Sequence, residues 1–320
     1  QLGEVSVFDN LKLRGAYGQT GNMPQTKAKY TTLSSSNIGG INGLVPSSTL
    51  GNPDIKPERT TELEFGADFS VMGGLATVEA TLYQQSIEDL ILLVDEAPSS
   101  GASNSWQNGG EMETNGLELA LGLNPTSLID LGGLDWNMHM TYYTNESEVT
   151  KLTVDPYNYG GFATFLGTYR IEEGVSPTAI VGADYDADGN HIELGNENPD
   201  FRLSFRNSLS FGPLSLSFLI DHKEGGHAIN LANLIYDLGA TTADYEENGS
   251  RTAVLGGGST APYVESTTYT ALRDLSLTYS LPAGLTEGYG LSNVQLGLAL
   301  RNWWMASDYT GLSPEVSQFG

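Results

Sequence analysis

The residues of this 320-residue chain best suited to chemistry lie in one short acidic stretch. Asp184, Asp186 and Asp188 alternate and are followed by Gly189. That is the first half of a calcium-loop pattern, in which alternate carboxylates converge on the ion and glycine makes the turn. The twelfth position, where a bidentate Glu closes such a loop, is Gly195, and Glu193 and Glu197 fall off register. A solvated Asp-Gly turn is therefore the favoured reading, with weak calcium binding as the alternative. Four histidines offer less: His222 and His227 stand close together with no third ligand beside them. There is no Gly-x-Ser-x-Gly elbow, and the Gly256–Gly258 tip lacks the Lys-Ser/Thr and helix of a phosphate cradle. Acid pairs such as Glu172-Glu173 are expected by chance among 39 acids. No catalytic site is read, and no cofactor beyond that calcium alternative.

Binding chemistry is better represented. Trp106, Tyr157, Tyr159, Tyr169, Trp303, Trp304 and Tyr309 lie among Asn, Asp and Glu in segments without strand periodicity. A flat ring stacks on a sugar or peptide face while amides and carboxylates bond its polar edge, so these are the candidate ligand contacts. Each single ring has a blander use, in loop packing or at a membrane interface.

The elements that must carry these residues follow from charge and periodicity. With 39 acidic and 14 basic residues, the net charge is −25, which repels phosphate backbones and argues against a nucleic-acid partner. The absence of Cys removes disulfides, Cys-ligated metals and thiol catalysis. The longest run of apolar side chains, Leu90–Val94, is far short of the roughly 18 residues of a membrane helix. Period 2 dominates instead. Leu63, Phe65, Ala67, Phe69 and Val71 alternate with Glu62, Glu64, Gly66, Asp68 and Ser70. Similar ribbons run through Ala76–Tyr83, Leu117–Asn124, Phe201–Arg206, Leu214–Ile220, Leu275–Leu281 and Val294–Arg301, with weaker ones at Leu11–Thr20 and Trp136–Glu148. That predicts about nine amphipathic strands, most of roughly 9–13 residues.

Connections between these ribbons alternate strictly between long and short. Tight ones occur near Gly73-Gly74, Pro125–Gly133, Gly212-Pro213 and Pro282–Asn293, and elaborate ones lie between them. Short periplasmic turns and long extracellular loops are the habit of outer-membrane barrels. Trp136, Tyr142, Phe211, Tyr279 and Trp303 suit their aromatic girdles. A soluble sandwich also alternates, but its strands average about 5–6 residues. The fold expectation is thus all-β, a portion of an antiparallel transmembrane β-barrel.

Several segments also resemble the C-terminal part of the SusC/RagA-like TonB-dependent outer-membrane receptors of Bacteroidetes-type bacteria. They are Leu11-Lys-Leu-Arg-Gly-Ala-Tyr-Gly-Gln-Thr-Gly-Asn22, Gly51-Asn-Pro-Asp-Ile-Lys-Pro-Glu-Arg-Thr-Thr61 and Gly110-Glu-Met-Glu-Thr-Asn-Gly-Leu-Glu-Leu119. Gly182–Asn190, Asn198–Phe201, Leu272–Pro282 and Arg301–Val316 follow in that family's order. The resemblance implies about nine strands of a larger plugged barrel, with residues 1–320 as its C-terminal part. On this expectation the plug, the TonB-contacting segment, the early strands and a final strand lie outside this sequence. It implies an import receptor for oligosaccharides or peptides, partnered by a SusD-like surface lipoprotein, by TonB through the N-terminal part, and by outer-membrane lipid and lipopolysaccharide. Leu63, Phe65, Phe69, Val78, Leu82, Leu119, Leu121, Leu203, Phe205, Leu216, Phe218, Leu277, Leu296 and Leu298 are expected to face lipid. The competing reading is a secreted or surface β-rich glycan-binding adhesin without transport; a glycan-active enzyme ranks third.

Overall fold

The computed structural model describes residues 8–247, 249–255 and 258–315. Nine strands form one antiparallel sheet in chain order: β1 (Phe8–Asn22), β2 (Glu58–Val71), β3 (Ala76–Glu88), β4 (Gly110–Leu123) and β5 (Leu134–Leu152), then β6 (Pro199–Phe211), β7 (Leu214–Gly225), β8 (Tyr269–Ser280) and β9 (Gln295–Ser307). Every neighbour in the sheet is a neighbour in sequence, so the wall is an uninterrupted meander. Strand lengths run from 12 residues in β8 to 19 in β5. These exceed the roughly 9–11 residues that a tilted strand needs to cross a bilayer.

Register fixes what shares a face, because directly paired residues point the same way. Phe65 pairs with Leu82, Ala80 with Leu119, and Leu119 with Tyr142. Further along the sheet, Met140 pairs with Phe205, Leu216 with Leu277, and Leu277 with Leu298. All fourteen residues expected to face lipid fall on this one side. The other side carries Arg14, Glu64, Asp68, Glu79, Glu118, Thr141, Arg202, Arg206, Asp221 and Arg301. On it, Arg14 donates to Asp68 at 3.0 and 2.8 Å, a two-pronged contact across β1 and β2.

Among the described residues, nothing covers the apolar side. Phe65, Leu82, Leu296 and Leu298 are 56–60% exposed. Among the described residues, the buried apolar core lies almost wholly in the long loops, with only Val149, Tyr269 and Ala271 on wall strands, at their loop ends. That separates the fold from a sandwich, whose second sheet would bury this face. β1 and β9 end the sheet, each paired on one side among the described residues.

The short turns gather at one end and the long connections at the other. At the short end, Asp9 accepts from the N–H groups of Gly73 and Gly74, both at 3.0 Å, pinning a turn whose left-handed φ angles (64° and 85°) suit glycine. Trp136 donates to the amide oxygen of the 4% exposed Asn207 at 2.8 Å, so a polar group on the apolar side stays paired. At the long end the structure departs from expectation. The loops carry strands and helices of their own, including the hairpin Leu33–Ile38/Ile41–Pro46, a four-stranded sheet between Tyr157 and Asn196, and helix α1 (Leu231–Leu238). These pieces are too short for a periodic signature, and α1 is two turns. Gly256 and Gly257 of the expected flexible tip lie outside the described residues, as does Val316.

Candidate ligand-contacting loops

Two loop assemblies stand at the long end. The first joins the β1–β2 and β3–β4 connections. Strand Asn104–Asn108 pairs with Ile91–Asp95 on one side, Leu93 facing Trp106, and with Thr49–Leu50 on the other. Beside it runs Gly51–Glu58, held almost atom by atom. Gly51 lets the chain pass so close to Tyr30 that a Cβ would lie 2.2–2.5 Å from its backbone atoms. Asn52 N–H donates to Ala28 O at 2.7 Å, and Asp54 N–H donates to the Asn52 side chain at 3.0 Å. Asn108 accepts from Lys56 N–H at 2.8 Å and returns a bond to Lys56 O at 3.0 Å. Ala28 and Ile55 are buried beneath. The result is a cleft of about 530 Å³ lined by Asn52, Asp54, Lys56, Asp89, Trp106 and Gln107, among others.

The second assembly joins the β5–β6 and β7–β8 connections and has a core of its own. Ile180, Ile229 and Leu231 are buried, with Leu166, Tyr169 and Val264 against them. Asp237, on α1, is its electrostatic centre. It accepts from Arg251 at 2.9 and 3.3 Å, from the Tyr263 hydroxyl at 2.8 Å, and from Thr242. Burial pushes the Asp237 carboxyl up, but the bonds from Arg251, Thr242 and Tyr263 outweigh it and hold the group below the usual carboxylate range. Burial and the Asp237 contact push the Tyr263 phenol well above its ordinary range.

The aromatic candidates fall into different settings. Trp106 lines the first cleft. Tyr159 is 63% exposed on the second assembly, paired with Tyr169 across the strands Tyr157–Tyr159 and Thr168–Ile171. Tyr157 is half-buried there, and burial pushes its hydroxyl up to about 12. Tyr169 packs on the core and donates to Glu197. The remaining three are set differently. Trp303 and Trp304 lie on β9, 66% and 52% exposed, and Trp304 pairs with Leu272 on the apolar side. Tyr309 is 8% exposed, its ring packed close over Gly311.

Two carboxylates of the Asp triplet are engaged within the loops. Asp184 accepts from Ser259 Oγ at 2.5 Å and from the N–H groups of Thr260 and Ala261 at 2.8 and 3.1 Å, tying one loop to the other. Asp186 closes the turn, accepting from Asp188 and Asn190 N–H at 2.9 and 2.8 Å. The Asn190 side chain and these N–H groups hold its carboxyl below the usual range. No three His, Asp or Glu among the described residues are grouped to hold a metal.

The profile of the family described as "TonB dependent receptor-like, beta-barrel" matches residues 4–302. The chain belongs to that family. Its members are β-barrels of the outer membrane, and the nine-strand wall, apolar on one side, is a portion of such a barrel. Relatives include TonB-dependent receptor P26 of Formosa agariphila, 27% identical, with 98% of this chain and 37% of the relative covered. TonB-dependent receptor SusC of Bacteroides thetaiotaomicron is 28% identical over 48% of this chain and 16% of its own. The RagAB peptide transporter superposes with a TM-score of 0.75 at 20% identity, covering 100% of this chain and 39% of that one, which shows a shared fold. The chain thus spans a little over a third of the length of such receptors.

The first cleft holds residues that sequence reading passed over. Asp54, Lys56 and Gln107 line the cleft, yet the Asn-Pro-Asp-Ile-Lys-Pro-Glu run registers in the sequence only as a strand entry. A usable signal was present: two prolines stiffening a run in which buried Ile55 is flanked by exposed Asp54 and Lys56.

Proposed function

We propose that this chain supplies the C-terminal strands and outward loops of an outer-membrane import receptor that takes up oligosaccharides or peptides. The carrying observation is the nine-strand wall, apolar and uncovered on one side, polar on the other, with every long loop at one end. An open sheet cannot sit in lipid with unpaired edges, so β1 and β9 are completed by further strands of a larger plugged barrel. The plug, the TonB-contacting segment, the early strands and a final strand belong to the parts of the receptor beyond this sequence. The long loops are extracellular and the short turns periplasmic, the arrangement usual for such barrels. There the loops meet a SusD-like lipoprotein and the lipopolysaccharide leaflet, while TonB couples energy from the periplasm.

The test is uptake. Cells lacking the full-length receptor should fail to accumulate an oligosaccharide or peptide that wild-type cells take up, and restoring the receptor should rescue them only when TonB is present. Accumulation indifferent to the receptor for every solute tried would refute import.

A further inference from the structure

Beyond the end of β9 at Ser307, residues 308–315 touch two different parts of the molecule. Thr310 is held by the second loop assembly, and Pro314 and Glu315 reach back to the polar side of β7 and β8. We propose that this stretch is a releasable strap, fixed at one end to the loop assembly and fastened at the other to the wall by an ionic latch. The device lies in this chain's own fold and needs no particular solute.

The fixed end is neutral at its centre and closely bonded. Glu265 accepts from the N–H and the hydroxyl of Thr310 at 2.7 and 2.8 Å and from Asn230 at 2.9 Å. Asn230 and Asn233 donate to the Thr310 hydroxyl at 3.1 and 3.0 Å. Tyr309 beside it is 8% exposed. Letting go here would expose that ring and leave several polar groups short of partners, so this end stays put.

The other end can part without stranding a charge. Arg273 donates to Glu315 through two nitrogens, one of them at 2.9 Å. If Glu315 leaves, Arg273 keeps Asp221 at 2.8 and 3.1 Å and the Tyr269 hydroxyl at 3.1 Å. Lys223, which donates to Pro314 O at 3.3 Å, keeps Thr267 Oγ1 at 2.6 Å. The Glu315 side chain is already 40% exposed, so water takes over readily. Breaking an ion pair is severe where it leaves a buried charge alone; here it does not, and a half-exposed pair is worth little and is screened by salt.

The strap also sets the charge of what lies beneath it. Arg202 and Lys223 pair directly across β6 and β7, like charges side by side, and Lys223 is only 5% exposed. They line a small cavity of about 150 Å³ in which Glu197 and Glu315 are the two carboxylates. With the strap fastened, bases and acids balance. Released, the strap takes one carboxylate away and opens a recess in which Arg202 and Lys223 outnumber Glu197.

The experiment uses the full-length receptor with nitroxide labels at Leu312→Cys, on the fully exposed strap residue, and at Ser127→Cys, in a short turn of the wall. Pulsed dipolar spectroscopy should give one narrow distance at about 0.1 M salt. Raising salt to about 1 M cuts the screening length from roughly 10 Å to roughly 3 Å, and the population at that distance should fall about two- to fivefold. Glu315→Gln should show the same loss at low salt and no further response to it, while the protease pattern of residues 153–198 and 226–268 stays that of the wild type. A wild-type distance that is already broad at low salt overturns the strap, because nothing is then fastened. A narrow one that salt leaves unmoved overturns the ionic latch, whatever the variant does. New cleavage within the loop assembly of Glu315→Gln would make residues 308–315 part of that assembly's packing, and the release would be refuted.

Discussion

The wall and the loop unit above β5–β8 satisfy their apolar side chains in opposite ways. On the wall, Phe65 and Leu296 are each 60% exposed; Leu119 has Ala80 and Tyr142 beside it and, among the described residues, nothing in front. In the loop unit Ile180, Ile229, Leu234 and Tyr263 are all at 0%. The wall borrows its apolar environment from the bilayer, while the loop unit makes its own, as a small soluble domain does. One chain therefore answers to two solvents, and a substitution should be judged by which solvent its site was built for.

The sharpest way to break the soluble-like half is Asp237→Ala. The Asp237 side chain is fully buried and holds both Arg251 and Tyr263. Removing it strands a guanidinium and a buried hydroxyl, which should cost about 3–5 kcal/mol of loop order. Limited proteolysis should open residues 153–198 and 226–268 while the wall keeps its heat resistance in detergent. Acid should act on the same site. Because the folded-state pKa of Asp237 is depressed, its contribution is present above the unfolded value of about 3.9 and is lost as pH falls through the folded one. Wild-type loops should therefore become protease-sensitive below about pH 4, and Asp237→Asn should flatten that dependence.

The lipid half is tested by Leu119→Arg against Glu118→Arg. Leu119 sits between Ala80 and Tyr142 on the apolar side; Glu118 sits between Thr81 and Tyr143 on the polar one. Arg at the first should cost about 2–4 kcal/mol and far less at the second. Unfolding from vesicles reads both, and equal losses would mean that the face assignment is wrong.

How much of this was legible in sequence divides along the same line. The wall strands show in the sequence because a lipid face demands apolar residues at every second position over a dozen residues, as in Leu117–Leu123. The loop unit does not, since its core is assembled from singletons such as Ile180, Ile229 and Tyr263 that meet only in space. For that reason Tyr159 and Tyr309, equally plausible in sequence, end at 63% and 8% exposure. The contacts of Asp184 are hidden from the sequence for the same cause: its partners, Ser259 to Ala261, belong to a different loop.

Smaller effects sharpen the contrast within the loops. Gly51→Ala forces a methyl against the Tyr30 backbone, which cannot move aside as a flexible side chain could, and should cost about 1–3 kcal/mol. The damage should stay local to the first assembly: new protease sites should appear within residues 23–57 while the protease pattern of residues 153–198 and 226–268 is unchanged.

Calcium should produce the smallest response. Binding it at Asp184 would mean giving up three donors that join the β5–β6 loop to the β7–β8 loop, and Asp186 would have to release the N–H groups that shape its turn. An ion that must first break the contacts ordering its own ligands gains little from their charge. Calcium titrated into the full-length receptor should leave the loop unit's unfolding temperature where it was, and Asp186→Asn should not alter that indifference. A stabilisation that disappears in Asp186→Asn would instead show that the two loops trade their direct bonds for a shared ion, making the acidic turn a coupling between them.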